Sequence, residues 1–192
     1  MTIRHFITII LFVAMPGLLP APALPPDGNP FLLLNSMRSE TVSNDRIQYQ
    51  LKYHRFKKTL AKHESNNNWK EYNRYGYIGK YQFGRSALAA TGYRNVTLES
   101  FKINPSSFSE REQEKAMDKL LKINESIMHG SITQFVGMTM LDTIRITRMG
   151  ILAAAHLAGP ANVKEFLESF GQKNVRDRMG TYISDYVYLF SR

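Results

Sequence analysis

From Asp45 to His63 the chain contains no glycine or proline, and Tyr49, Tyr53, Phe56, Leu60 and then Glu64 recur at spacings of three and four. Only a helix brings residues at that period onto one face. This helix, with Asn44 as its expected N-cap, therefore limits the fold before anything else is considered. The segments downstream follow the same period. Ser86 to Thr91 predicts a short helix closed by Gly92. Ser109 and Glu112 form a capping-box pattern ahead of a segment whose apolar face is Ala116, Met117, Leu120, Leu121, Ile127 and Met128, with Gly130 as its stop. Further helices are expected over Ile132 to Ile146, Met149 to Leu157 (ended by Gly159-Pro160), Val163 to Ser169 (capped by Asn162) and Thr181 to Phe190. Ser65 to Gly84 differs: rich in Asn, Tyr and Gly, it reads as a loop or short hairpin. The fold class that results is mainly α, a single domain with a small irregular or β-hairpin insert.

The N-terminus carries a different signal. Arg4 and His5 precede an apolar run from Phe6 to Leu19, interrupted by Pro16 and Gly17 and followed by Ala21-Pro22-Ala23. This is the pattern of an export signal, expected over residues 1–23. An uncleaved N-terminus would instead give a loose membrane association. Residues 24–44, dense in breakers at Leu24 to Pro30, read as a linker, which leaves 45–192 as the domain. The expected location is periplasmic or secreted. With no cysteine in the chain, disulfide scaffolds, thiol catalysis, zinc–cysteine sites and a lipidated cysteine are all excluded. The formal charge of +9 favours an anionic partner. No nucleic-acid recognition motif, P-loop, dinucleotide fingerprint or metal-ligand spacing is present, so neither nucleic acid, metal nor cofactor is expected.

Glu64 carries the functional expectation. It lies one turn beyond Leu60 on the apolar stripe, so its side chain should turn toward the domain interior. Burial disfavours a carboxylate's charge, and a carboxyl at such a place is suited to hold a proton for general-acid work. Glu64-Ser65, Asn68-Trp69, and then Gly76-Tyr77, Gly79 and Gln82-Phe83 form a run that resembles the catalytic region of the lysozyme-like, lytic transglycosylase superfamily. The similarity is greatest to its resuscitation-promoting-factor branch. Ala154-Ala155-His156-Leu157-Ala158-Gly159-Pro160 resembles that family's Ala-Ala-Tyr-Asn-Ala-Gly-Pro helix end, and Tyr186-Val187 its late Tyr-Val element. His156 stands where the family usually has Tyr, and Leu157 where it has Asn.

The resemblance implies a lysozyme-like fold and a peptidoglycan lytic transglycosylase, with peptidoglycan glycan strands as partner and Glu64 as acid and then base. It also implies substrate contacts from Ser65, Tyr77, Tyr81, Gln82, His156 and Tyr186. On the residues alone several of these stay open. Gln82 either meets an acetamido group or pins its loop. His156 either replaces the Tyr as a hydrogen-bonding group or is a satisfied core histidine, and Tyr186 either tunes Glu64 or packs. Trp69 and Phe83 are expected in the core. Glu71 is the only acid shortly after Glu64 and reads as a solvated loop charge, which favours a reaction without a second carboxylate. A hydrolytic muramidase on the same fold and a non-catalytic peptidoglycan-binding or assembly factor are the alternatives. A monomer is expected.

Overall fold

The structure, a computed structural model, describes residues 30–191. The expected signal peptide, 1–23, and the first part of the expected linker, 24–29, lie outside the described residues. Helix α1 spans Pro30–Ser65. The remainder of the expected linker is therefore helical, and Asn44 lies inside a helix rather than capping one. From Pro30 to Glu64 no proline or glycine interrupts the chain, so nothing stops the helix propagating toward the N-terminus once it has formed. The chain divides into one unit up to Tyr49 and another from Gln50 onward. In the first, Met37, Val42 and Ile47 are exposed. None of the described helices is long and apolar enough to cross a membrane.

In the second unit, the α1 stripe behaves as its spacing requires. Phe56, Leu60 and Ala61 are buried, and Tyr53 packs against the core at its edge. Then follow α2 (Arg85–Thr91), α3 (Leu98–Ile103), a 3-10 turn (Pro105–Phe108), α4 (Glu110–Ile127) and α5 (His129–Phe135). A two-stranded antiparallel hairpin, β1 (Thr139–Met140) and β2 (Ile144–Arg145), precedes α6 (Arg148–Ala158), α7 (Pro160–Glu168) and α8 (Ile183–Leu189). The described residues are thus mainly helical, as expected.

Several local signals act as anticipated. Gly92 ends α2 in the left-handed region at φ 95°. The Ser109 N–H donates to the Glu112 carboxylate at 2.9 Å, closing the capping box of α4; such a cap contributes about 1 kcal/mol. Other expectations are corrected. The helix expected over Ile132 to Ile146 ends at Phe135, and the chain turns into the hairpin instead. Gly137, at φ 96°, and Leu141 and Asp142, also at positive φ, take conformations that no helix continues through. Gly130 lies inside α5 rather than stopping α4. Gly159 caps α7 in place of Asn162, whose amide donates to the Ala158 carbonyl.

The core is built around α6. Ile151, Leu152, Ala153, Ala154 and Ala155 are all buried, as befits a helix apolar on every side. Its small residues let α8 approach closely: a Cβ at Gly150 would lie 3.1 Å from the Val187 carbonyl oxygen. Phe83, Phe101, Phe108 and Phe166 are fully buried, each contributing roughly 2–3 kcal/mol of apolar transfer. Phe83 is core, as expected, whereas Trp69 is only half-buried.

Candidate active site

The last turn of α1, the loop from Asn66 to Gly84, the end of α6 and the middle of α8 meet at Glu64. Its side chain is only 6% exposed. The Tyr186 hydroxyl donates to Glu64 Oε1 at 2.5 Å, joining residues 122 apart in sequence. His156 Nε2 lies 3.9 Å from the same oxygen and 2.7 Å from the Tyr81 carbonyl. A carbonyl only accepts, so the tautomer that makes this bond carries its proton on Nε2. His63 Nδ1 lies 3.2 Å from the Tyr186 hydroxyl, with the two rings edge to face. Because Tyr186 spends its proton on Glu64, His63 is the donor in that contact. Sequence reading missed His63. Its one signal was adjacency to Glu64, and on a helix neighbouring residues normally diverge.

Tyr186 and His156 are thus brought to Glu64. Three other residues expected to contact substrate are engaged within the fold. The Ser65 hydroxyl donates to the Lys80 carbonyl at 2.7 Å, tying the end of α1 to the loop. The Gln82 amide donates to the Gly79 carbonyl and accepts from Asn73, both at 3.0 Å, pinning the loop where Gln82 sits at φ 47°. Tyr81 is 1% exposed and its hydroxyl donates to Glu114 at 2.8 Å, so its ring is core rather than a sugar platform. Local motif position is the same for a residue that holds a loop and one that holds a substrate, and the internal bonds of these three are what the tertiary structure adds. Tyr77 stays half-buried beside Gly84 and lines a cleft of about 530 Å³ along the same loop. Glu64 is not among the residues lining that cleft.

The loop owes its shape to Gln113 on α4, which is fully buried. Its Oε1 accepts from the Lys80 N–H at 2.6 Å, and its Nε2 donates to the carbonyls of Trp69 and Phe108, each at 2.8 Å. Gly79 passes over this amide at φ 77°, and a Cβ there would come within 2.4 Å of Oε1. Beneath the loop, Lys57 reaches Glu114 at 2.7 Å and Asp118 at 2.5 Å, and Lys80 reaches Glu114 and Glu110 at 2.9 Å. Burial opposes the charge on Glu114, but hydrogen bonds from Lys57, Lys80 and Tyr81 outweigh it and lower its pKa. Lys57 is therefore an inward ion-pair partner.

Glu71 is exposed and accepts from the Asn68 amide at 2.9 Å, the solvated loop charge expected of it. The acid whose charge is felt at Tyr186, besides Glu64, is Asp177. Its Oδ1 accepts from the Met179 and Thr181 backbone N–H groups, which assigns it to the turn before α8. Among the described residues no group of three or more His, Asp or Glu side chains is gathered for a metal ion.

Burial, then the charge and hydrogen bond of Glu64, push the Tyr186 hydroxyl far above its ordinary pKa; burial and then Glu114 do the same for Tyr81. Both folded values exceed the unfolded value of about 10. Their contribution to stability is therefore complete below about pH 10 and lost as pH rises further. In an alkaline titration followed by phenolate absorbance, these two of the ten tyrosines should stay protonated until the chain unfolds. A smooth titration of all ten in the folded state would contradict the two buried hydroxyl–carboxylate pairs.

Tyr186→Phe keeps the ring but removes both bonds of the hydroxyl, the one given to Glu64 and the one accepted from His63. A bond to a carboxylate contributes about 1.5–3 kcal/mol, so any reaction in which Glu64 serves as the acid should slow by roughly 10- to 100-fold with unchanged helicity. An undiminished rate would make Tyr186 a packing residue only.

No family model matches the chain, and neither a curated protein nor a solved structure matches it.

Proposed function

We propose that the chain is a lytic transglycosylase with a lysozyme-like fold that cleaves the β-1,4 bond between N-acetylmuramic acid and N-acetylglucosamine in peptidoglycan. The observation that carries this reading is the nearly enclosed Glu64 carboxyl bonded on Oε1 by Tyr186. Both polar neighbours of the carboxyl among the described residues meet Oε1. Oε2, which none of these contacts engages, is left as the oxygen to deliver the proton in this reading. Glu64 gives this proton to the leaving oxygen as the muramyl C1–O bond breaks and the sugar ring gains oxocarbenium character. The resulting carboxylate then accepts the proton of the muramyl 6-hydroxyl, whose oxygen bonds to C1 and closes a 1,6-anhydro ring. Glu64 ends protonated, as it began, and no water is consumed. Tyr186 stays protonated throughout and stabilises the carboxylate formed between the two steps, with His63 holding the tyrosine in line.

Such a reaction needs only one carboxyl. Glu71 is turned to solvent and Asp177 is engaged by its own turn, which supports the intramolecular route over hydrolysis. His156, held by the Tyr81 carbonyl, stands as the remaining polar wall where the Leu157 side chain offers no amide. Export to the periplasm or the medium, suggested by residues 1–23, would bring the chain to this substrate. Mass spectrometry of purified wall digested by the chain tests the reading. Products ending in 1,6-anhydromuramic acid support it, reducing muramyl ends assign a muramidase, and intact wall leaves a binding factor.

A further inference from the structure

We propose that the 530 Å³ cleft beside the candidate active site binds a short acidic peptide, of the kind attached to the muramyl residue, through carboxylates held by arginines. Arg74, Arg85, Arg94 and Arg178 line it, and Glu99 is its one acid. These arginines come from separate places: the loop after α1, the first turn of α2, the turn beyond α2, and the segment before α8. All four are exposed, and among the described residues none of Arg85, Arg94 and Arg178 forms an ion pair. Arg74 is held ready, with its guanidinium donating to the Tyr75 hydroxyl at 2.8 Å and lying 4.9 Å from that ring's centroid. Like charges gathered round one concavity repel one another, and an anion placed between them relieves that cost. A guanidinium fork matches a carboxylate in two parallel hydrogen bonds.

The rest of the lining selects among anions. The half-buried Val96 and Leu98 present apolar surface, for which a polyphosphate has no use and a peptide's aliphatic side chains do. Glu99 provides a place for an ammonium group, which fits a zwitterionic peptide containing a diamino acid. The position also fits. Tyr77 and Gly84 belong to the loop that carries the Tyr81 carbonyl to His156, and Arg178 follows Asp177, whose charge reaches Tyr186. The assignment of the peptide's source rests on the glycan-cleaving reading above.

Calorimetric titration of the full chain with the free tripeptide L-alanyl-γ-D-glutamyl-meso-diaminopimelic acid tests this without requiring cleavage. Saturable binding is expected. It should weaken about tenfold or more in the Arg94→Ala/Arg178→Ala variant, and equally when the peptide's carboxylates are amidated. Lys122→Ala, which removes one positive charge from an exposed position on α4, should leave it unaltered. The proposal is overturned if no binding is seen up to about 10 mM peptide, if Lys122→Ala weakens binding as much as the arginine pair, or if inorganic polyphosphate displaces the peptide at lower concentration. Peptide binding by a chain that leaves wall glycan intact would retain this site and reject the lyase. Cleavage without peptide binding would do the reverse.

Discussion

Glu64→Gln is expected to abolish wall-glycan cleavage while leaving the fold in place. Glutamine has nearly the same shape, and its Oε1 still accepts from the Tyr186 hydroxyl, so the junction of α1 with α8 is kept. What it lacks is an acidic proton in the first step and a basic oxygen in the second. General acid and base contributions run to roughly 10²–10⁴-fold. A residue that serves both steps should show a loss of about 10³-fold or more, near 4 kcal/mol of barrier. The measurement is the rate of soluble muropeptide release, compared with a circular dichroism melt of the same variant. A lost rate with an unchanged melt identifies chemistry. An unchanged rate would remove Glu64 from the mechanism and the enzymatic reading with it.

The second large effect should be on stability, at a residue that touches no substrate. Gln113→Ala deletes three hydrogen bonds at once and leaves the Lys80 N–H and the Trp69 and Phe108 carbonyls without their partner. Each buried unsatisfied group costs about 1–3 kcal/mol, and water entering the space left behind offsets part of that. A net loss of about 3 kcal/mol is expected, a fall in Tm on the order of 10 °C for a domain of this size. Gln113→Met restores most of the volume without the amide, so a similar loss there would assign the effect to hydrogen bonding rather than to a cavity. If both variants melt like the wild type, the loop from Trp69 to Lys80 is held by its own turns, and the α4 amide is incidental to the site's geometry.

These two predictions mark where sequence reading ended. Glu64 was legible because a helix repeats its face every three to four residues, and the stripe through Phe56 and Leu60 extends to it. The capping box at Ser109 and Glu112 and the αL stop at Gly92 were legible for the same reason: each is settled by residues a few positions apart. The N-terminal extent of α1 was not. Residues 31–44 were read as linker together with the breakers that end at Pro30, yet nothing after Pro30 opposes a helix.

Sequence alone therefore determined the helical class, most of the helices and the carboxyl that the proposed chemistry needs, since these depend on local period and local caps. Only the tertiary structure decided what surrounds that carboxyl. The hydroxyl on Glu64 comes from 122 residues away, the amide that shapes the loop lies 44 residues beyond the Trp69 carbonyl it holds, and the Tyr81 carbonyl meets a histidine 75 residues on. Ser65, Tyr81 and Gln82 have the same neighbours in sequence whether they face a substrate or tie a loop. Which of the two they do depends on whether a distant carbonyl, carboxylate or amide is nearer than the open cleft. Chain order alone does not contain that distance.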